Sequence, residues 1–274
     1  MLFHGAPFDP ERRALLFGLI AAPLIGRAAR AAPRASVPIL CYHRFGPAAV
    51  DSMTVRTSNF ESHLRVLEQL KCTVIPLANV VAWRRGAMSI TVDAPLPPRA
   101  VVLTADDGHQ SQFDVMMPRL QSRGWPVTLF VYPSAISNAS YAMTWPQVQA
   151  LAAQPGVSVQ SHTLWHPNFL QERKRLSPEA FTAFAATQLQ RSRDTLQQHL
   201  SRPVTLLAWP FGLSDEGVRA QAAECGYEAA MALGDRAATI GDPLYALPRY
   251  LMVDGINDRQ LAARLRAVFA AEPA

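Results

Sequence analysis

Two adjacent carboxylates, Asp106 and Asp107, follow the apolar run Val101-Val102-Leu103 in the segment Thr104-Ala105-Asp106-Asp107-Gly108-His109. Neighbouring carboxylates at the end of a buried strand repel each other unless a proton or a cation lies between them. A second run, Val157-Ser158-Val159-Gln160-Ser161, delivers His162-Thr163-Leu164-Trp165-His166. Histidines four apart on one helical turn face the same way, and imidazole suits zinc. A carboxylate with two imidazoles leaves coordination positions open to water and substrate, which is the catalytic form of a metal centre, and the same donor set also serves non-haem iron. Thr163, not Glu, follows the first histidine, so the pattern is not that of a His-Glu-x-x-His metalloprotease. A third segment, Ala208-Trp209-Pro210-Phe211-Gly212, ends another apolar run and could turn a backbone amide toward a developing oxyanion. Singly, the first and third segments also read as ordinary turns, and either histidine as a surface or satisfied core residue.

The elements that must position these residues alternate between strand and helix. Strands are expected at Val37–Tyr42, Cys72–Ile75, Ala100–Thr104, Val127–Tyr132, Val157–Gln160, Thr205–Trp209, Glu228–Leu233 and Tyr245–Val253. Helices are expected from Ser58, where Ser58 and Glu61 form a capping box, over Gln112–Ser122, and from Thr144, where Thr144 and Gln147 form another. Further helices run from Ser177-Pro178 to about Leu200, from a cap at Ser214 to near Gly226, and from a cap at Asn257 with Gln260. The segment 86–99, which ends in Pro95, Pro97 and Pro98, reads as a surface insertion. The class is α/β, with about seven largely parallel strands in an inner ring or sheet and one catalytic domain over 33–274. In such barrels the C-terminal strand ends carry the chemistry, and all three segments stand there.

A hydrophobic fraction of 49% with 17% charged residues in 274 excludes disorder and allows a sizeable core. The net charge of +5 is spread along the chain without a dense basic run, so nucleic acid is not an expected partner. Cys41, Cys72 and Cys225 form no CxxC pair; buried thiols are expected, with one disulfide left open. Residues 1–32 read as a signal peptide: Arg12-Arg13, the apolar stretch Ala14–Ala22, and the small residues up to Ala32. The paired arginines resemble a twin-arginine export signal. Export to the periplasm or another extracytoplasmic space is expected, with no membrane anchor after cleavage.

The three strand-end segments, in this order, resemble the motifs of the polysaccharide deacetylases, the NodB-homology or carbohydrate esterase family 4 enzymes. Thr104–Gly108 is similar to Thr-Phe-Asp-Asp-Gly, His162–His166 to His-Ser/Thr-x-x-His, and Pro210–Gly212 to Pro-Tyr-Gly. The resemblance implies a distorted (β/α) barrel of about seven strands. It makes Asp106 the general base, gives the divalent metal, expected to be zinc, to Asp107, His162 and His166, and makes the Phe211 amide the oxyanion donor. It further implies a polysaccharide substrate that loses N-acetyl groups.

Ala105 stands where the family has Phe, and Ala208 where many members carry an arginine that pairs with the base; Arg249, in Leu247-Pro248-Arg249-Tyr250, is the candidate substitute. No histidine follows His199, so the late Leu-x-x-His acid of many members is missing. That absence, with Cys41-Tyr42-His43-Arg44-Phe45, is more similar to the deacetylases of poly-β-1,6-N-acetylglucosamine. His43 is the candidate acid or substrate contact, and His109, Trp165 and Trp209 are candidate substrate-binding residues. Rival readings are a peptidoglycan or chitin-oligomer deacetylase, an O-deacetylase, and a carbohydrate-binding relic of the fold.

Overall fold

The computed structural model describes residues 36–86 and 96–270, all within one compact unit. The expected leader at 1–32 and most of the expected insertion at 86–99 lie outside them. In chain order the strands are β1 (Ser36–Val37), β2 (Ile39–Tyr42), β3 (Arg44–Gly46), β4 (Thr54–Arg56), β5 (Thr73–Val74), β6 (Ala100–Asp106), β7 (Val127–Val131), β8 (Val157–Ser161), β9 (Leu206–Ala208), β10 (Ala229–Met231), β11 (Ala238–Thr239) and β12 (Tyr250–Leu251). The helices are α1 (Thr57–Gln69), α2 (Leu77–Gly86), α3 (Met117–Gln121), α4 (Trp145–Ala152), α5 (Phe169–Arg175), α6 (Pro178–Leu200), α7 (Glu216–Glu224) and α8 (Asp258–Ala270).

Seven parallel strands form the main sheet in the order β10-β9-β8-β7-β6-β2-β12, with β5 also paired to β6. The segment 247–251 reaches both ends of that path. The Leu247 amide donates to the Ala230 carbonyl and its carbonyl accepts from Ala232, while Tyr250 and Leu251 pair with Leu40 and Cys41 of β2. The sheet therefore curls into a distorted barrel, as expected.

Strand side chains alternate between faces, and parallel register partners share one. On the outer face Leu40, Leu103, Leu129 and Leu207 pack with Phe60, Leu64, Leu120, Val148, Leu189, Val218 and Leu265 from the helices. On the inner face Ile39, Val102, Phe130, Leu206 and Met231 form a second apolar cluster. Toward the C-terminal ends that same inner face turns polar: Val102 leads to Thr104 and Asp106, Ile39 to Cys41, and Gln160 to His162. Because β8 and β9 pair at a single position, Ser161 with Leu207, the Gln160 Oε1 accepts from both the Thr205 and Leu206 amides at 2.9 Å and takes the place of ladder bonds.

The expected caps at Thr144 and Asn257 are present. The Thr144 amide donates to Gln147 Oε1 at 2.8 Å, and Asn257 and Gln260 exchange bonds of 2.9 and 3.0 Å. Two others are corrected. Helix α1 begins at Thr57, one residue before Ser58, because Asp254 accepts from both the amide and Nε of Arg56; Glu61 turns away to Arg119. Helix α7 is capped by Asp215, which accepts from the Val218 amide, and Ser214 instead accepts from Arg219 Nε.

The expected strand at 245–253 shrinks to Tyr250–Leu251, since Pro248 has no amide for a ladder and Leu244–Ala246 forms a 3-10 turn. Helix α2, with Leu77, Val80 and Val81 buried on one face, was not anticipated. All three cysteines are free, which closes the disulfide alternative in this structure. Among the described residues no helix is long and apolar enough to cross a membrane.

Candidate active site

Asp106 ends β6 on the inner face and is buried, as is Arg249 just before β12. The guanidinium grips the carboxylate through both oxygens, Nη1 to Oδ1 and Nη2 to Oδ2, each at 2.7 Å. Its Nε donates to the Ala232 carbonyl and Nη1 also reaches Thr104 Oγ1. Burial by itself pushes the Asp106 pKa up, but the Arg249 charge outweighs it and holds the carboxyl well below the usual carboxylate range. Asp106 is therefore ionised at any working pH.

Asp107, His162 and His166 converge beside this pair. Asp107 Oδ1 stands 3.6 Å from the Nε2 atoms of both histidines, too far for hydrogen bonds and suited to an ion between them. His162 Nδ1 lies 2.8 Å from the Ala208 carbonyl, an acceptor, so Nδ1 carries the proton and the Nε2 lone pair points into the triangle. Burial first, and His162 second, lower the His166 pKa to about 4, which favours the neutral, ligating imidazole. The donor set fits a divalent cation, with one carboxylate and two imidazoles whose ligand atoms lie within 4.8 Å of one another. A neighbouring group, Cys41, His43 and Asp106, is equally close-set. Arg249 already neutralises its carboxylate, and burial raises the Cys41 pKa, so that group does not suit a cation.

The backbone at the site is strained. Of the non-glycine residues with positive φ among the described residues, Asp107 (78°), Thr163 (66°), His166 (64°) and Phe211 (58°) all belong to the three motifs. The two histidines thus sit on a loop with left-handed corners rather than on the expected helical turn, and it is this loop that brings their rings to 4.7 Å. Gly108 is fixed by sterics, since a Cβ there would meet Ile136 at 2.9 Å at a φ of 70°. Gly212 is fixed likewise, with Leu233 backbone at 2.6 Å from any Cβ.

His43 is buried between β2 and β3, with Nδ1 lacking a hydrogen-bond partner; burial lowers its pKa. His109 is half-buried, hydrogen-bonds Ser111 Oγ at 2.8 Å and stacks on Tyr141. Trp165 is exposed next to His166. Phe211 is 55% exposed and sets its ring against His166 at 4.7 Å. Trp209 is corrected as a substrate contact: it is wholly buried, its Nε1 donates to the Tyr245 carbonyl, and its ring packs on Phe169. Trp209 lies on the outer-face parity of β9, one residue after the inner-facing Ala208, so it packs under the helices.

Sequence reasoning missed Arg44, Gln112, Tyr132 and Tyr141. Arg44 pairs with Asp51 and places Nη2 3.9 Å from Asp107. Gln112 donates to the His43 and Asp106 carbonyls and so ties two strand ends together. The hydroxyls of Tyr132 and Tyr141 meet beside His166. Arg44 stands in the Cys41–Phe45 segment and Tyr132 ends an expected strand, while Gln112 and Tyr141 come from segments that only tertiary structure brings to the strand ends.

A sequence profile described as polysaccharide deacetylase matches residues 93–230, half of the chain. The chain belongs to the polysaccharide deacetylase family. Its members are hydrolases, and this chain carries the family's Asp-Asp and His-x-x-x-His pairs at strand ends. The Bacillus subtilis (strain 168) protein YxkH, whose name assigns it provisionally to polysaccharide deacetylases, is 24% identical over 85% of this chain and 77% of its own. The poly-β-1,6-N-acetyl-D-glucosamine N-deacetylase of Escherichia coli (strain K12) is 29% identical over 146 residues, 47% of this chain and 21% of that protein. The fold is shared with the Streptococcus pyogenes deacetylase PplD (TM-score 0.72, 21% identity, 85% of this chain and 99% of that one). It is shared also with IcaB from Ammonifex degensii (TM-score 0.69, 21% identity, 85% and 97%).

Removing one partner of a buried ion pair costs about 3–5 kcal/mol, because the other charge stays buried. In Arg249→Met, Asp106 loses the charge that depresses its pKa, and burial then raises it above the unfolded value. The wild-type pair stabilises the fold above about pH 4 and loses that contribution only in stronger acid. The variant should be about 3–5 kcal/mol less stable at pH 7, with the deficit shrinking toward pH 5. Urea unfolding of metal-free protein at both pH values measures this, and an equal deficit at both would contradict it.

Proposed function

We propose that this chain is a zinc-dependent N-deacetylase of an N-acetylglucosamine polymer, acting outside the cytoplasm on an exopolysaccharide of the poly-β-1,6-N-acetylglucosamine kind. The observation that carries the reading is the triangle of Asp107, His162 and His166 set beside a second carboxylate that Arg249 keeps ionised. The choice of polymer is supported by the similarity to the Escherichia coli enzyme, and the place of action by the leader-like residues 1–32. His43 lies outside the segment that matches the family profile, as does Arg249.

Asp107, His162 and His166 hold the ion. A divalent cation bound there supplies polarisation of the acyl carbonyl and a more acidic water. Asp106 accepts the proton of the attacking water; as a weak base it can act only on water whose pKa has been lowered. The Phe211 amide, presented by its left-handed turn, stabilises the oxyanion. His43 lies within 4.8 Å of Asp106, and as a neutral imidazole it takes that proton on one nitrogen and gives one from the other to the leaving amine. His109 and Trp165 contact the glycan at the rim. Acetate and a free amine on the polymer are the products.

Acetate release from a panel of poly-β-1,6-N-acetylglucosamine, chitin oligomers, peptidoglycan and O-acetylated xylan tests the substrate. Greatest turnover on the first, with the protein recovered from the extracytoplasmic fraction of its host, is the expected result. Preference for another polymer would move the assignment, and no acetate from any would favour a binding relic. Asp106→Asn should retain zinc and lose activity by at least about a hundredfold, whereas His162→Ala should lose both. Full activity in Asp106→Asn would sink the base assignment.

A further inference from the structure

Beneath the loop that carries both histidines lies a buried cluster of hydroxyls that the chemistry above does not use. Ser161 ends β8, Ser192 lies on α6, and Tyr227 stands just before β10; all three are buried. Ser192 Oγ donates to the Thr163 carbonyl at 2.9 Å. Its proton is thereby committed, so in the 2.8 Å contact between the two serines Ser161 must donate to Ser192. The Tyr227 hydroxyl lies 2.8 Å from Ser161 Oγ and 3.0 Å from the Leu189 carbonyl, and Ser161 Oγ also accepts the Thr163 amide at 3.1 Å. The bonds thus run one way, from Ser161 to Ser192 to the Thr163 carbonyl, and Tyr227 divides its single proton between Ser161 and the Leu189 carbonyl at the head of that chain. Both backbone polar groups of Thr163, the residue with φ 66° next to His162, are held by this cluster.

Four residues before Ser192 on the same face of α6, the buried Gln188 accepts the Trp165 amide through Oε1 at 3.2 Å. The other buried residues of this helix are apolar: Phe181, Ala185, Leu189 and Leu196. The two polar positions therefore fall where the histidine loop passes over the helix. A buried polar side chain in a helix interior is unfavourable unless bonded, and these two bond only the loop and its base.

We propose that Ser192, with Tyr227 and Gln188, are positioning residues whose hydrogen bonds set the His162–His166 loop in its metal-ready shape before an ion arrives. This rests on the metal reading above. The direction of the bonds makes the effects unequal. Ser192→Ala leaves the Thr163 carbonyl without its donor and the Ser161 proton without its acceptor. Tyr227→Phe removes only the head of the chain, because the Thr163 amide still fills Ser161.

The test is titration of the metal-stripped full chain with cobalt(II), read by its visible absorption, alongside thermal melting of the metal-free protein. Loss of a bond that orients a metal ligand typically weakens the site ten- to a hundredfold. Ser192→Ala should raise the cobalt dissociation constant by about ten- to a hundredfold and alter the band shape, and Tyr227→Phe by only about a few fold. Ser177→Ala, which removes the cap at the start of the same helix, should lower the melting temperature while leaving the cobalt constant unchanged. Should Ser192→Ala fail to fold, Gln188→Met carries the same expectation of weakened binding. Wild-type affinity and spectrum in Ser192→Ala, or in Gln188→Met, would overturn the proposal. A cobalt dissociation constant that rises equally in Ser177→Ala would reduce it to general stability. Absence of any cobalt band in the wild type would remove the metal reading and this inference with it.

Discussion

A full negative and a full positive charge, Asp106 and Arg249, face each other in the dry interior of the sheet, and neither is tolerable there without the other. Arg249 belongs to the segment that bridges β10 at Leu247 and pairs with β2 at Tyr250, so the guanidinium reaches Asp106 only when the sheet has curled. Fold closure and the charge state of the site are thus one event. Two further guanidinium donors are matched by Thr104 and Ala232, and its face lies over Phe130 at 5.3 Å. The pairing also keeps the Asp106 carboxylate bound to Arg249 and leaves Asp107 to face the histidines.

The neighbouring triangle is held at a cost. Left-handed backbone at Asp107, Thr163, His166 and Phe211 is unfavourable for residues with a Cβ, by about 1–3 kcal/mol each. What offsets it lies outside the motifs. The Met143 amide donates to the Gly108 carbonyl and the Gln110 amide to Tyr141, bracing the first loop, while the Ala208 carbonyl fixes the His162 tautomer. The apolar cores on both faces of the sheet supply the stability that these corners draw on.

The strand ends were legible in the sequence because apolar runs of β residues stop abruptly at ionisable ones. Thr144 and Asn257 were readable as caps because Gln three residues later answers each of them. Ser58 and Ser214 misled because long-range partners, Asp254 for Arg56 and Arg173 for Asp215, moved the first cap two residues earlier and the second one residue later. The histidine spacing fitted a helical turn equally well, and local pattern does not reveal a loop whose corners are held by α6. Trp209 sits one step out of phase with the inner face, a register detail invisible until β9 is paired. Arg249 was within reach of sequence reasoning only through the resemblance, which showed that an arginine was missing from position 208.

The central claim is that the two carboxylates divide their work, Asp107 to an ion and Asp106 to Arg249. Anomalous diffraction at the zinc edge from a crystal of the zinc-loaded protein tests it most directly. The account predicts one strong peak bonded to Asp107, His162 and His166, with Asp106 still gripped by Arg249. A peak on Cys41, His43 and Asp106, or no peak at all, would contradict it.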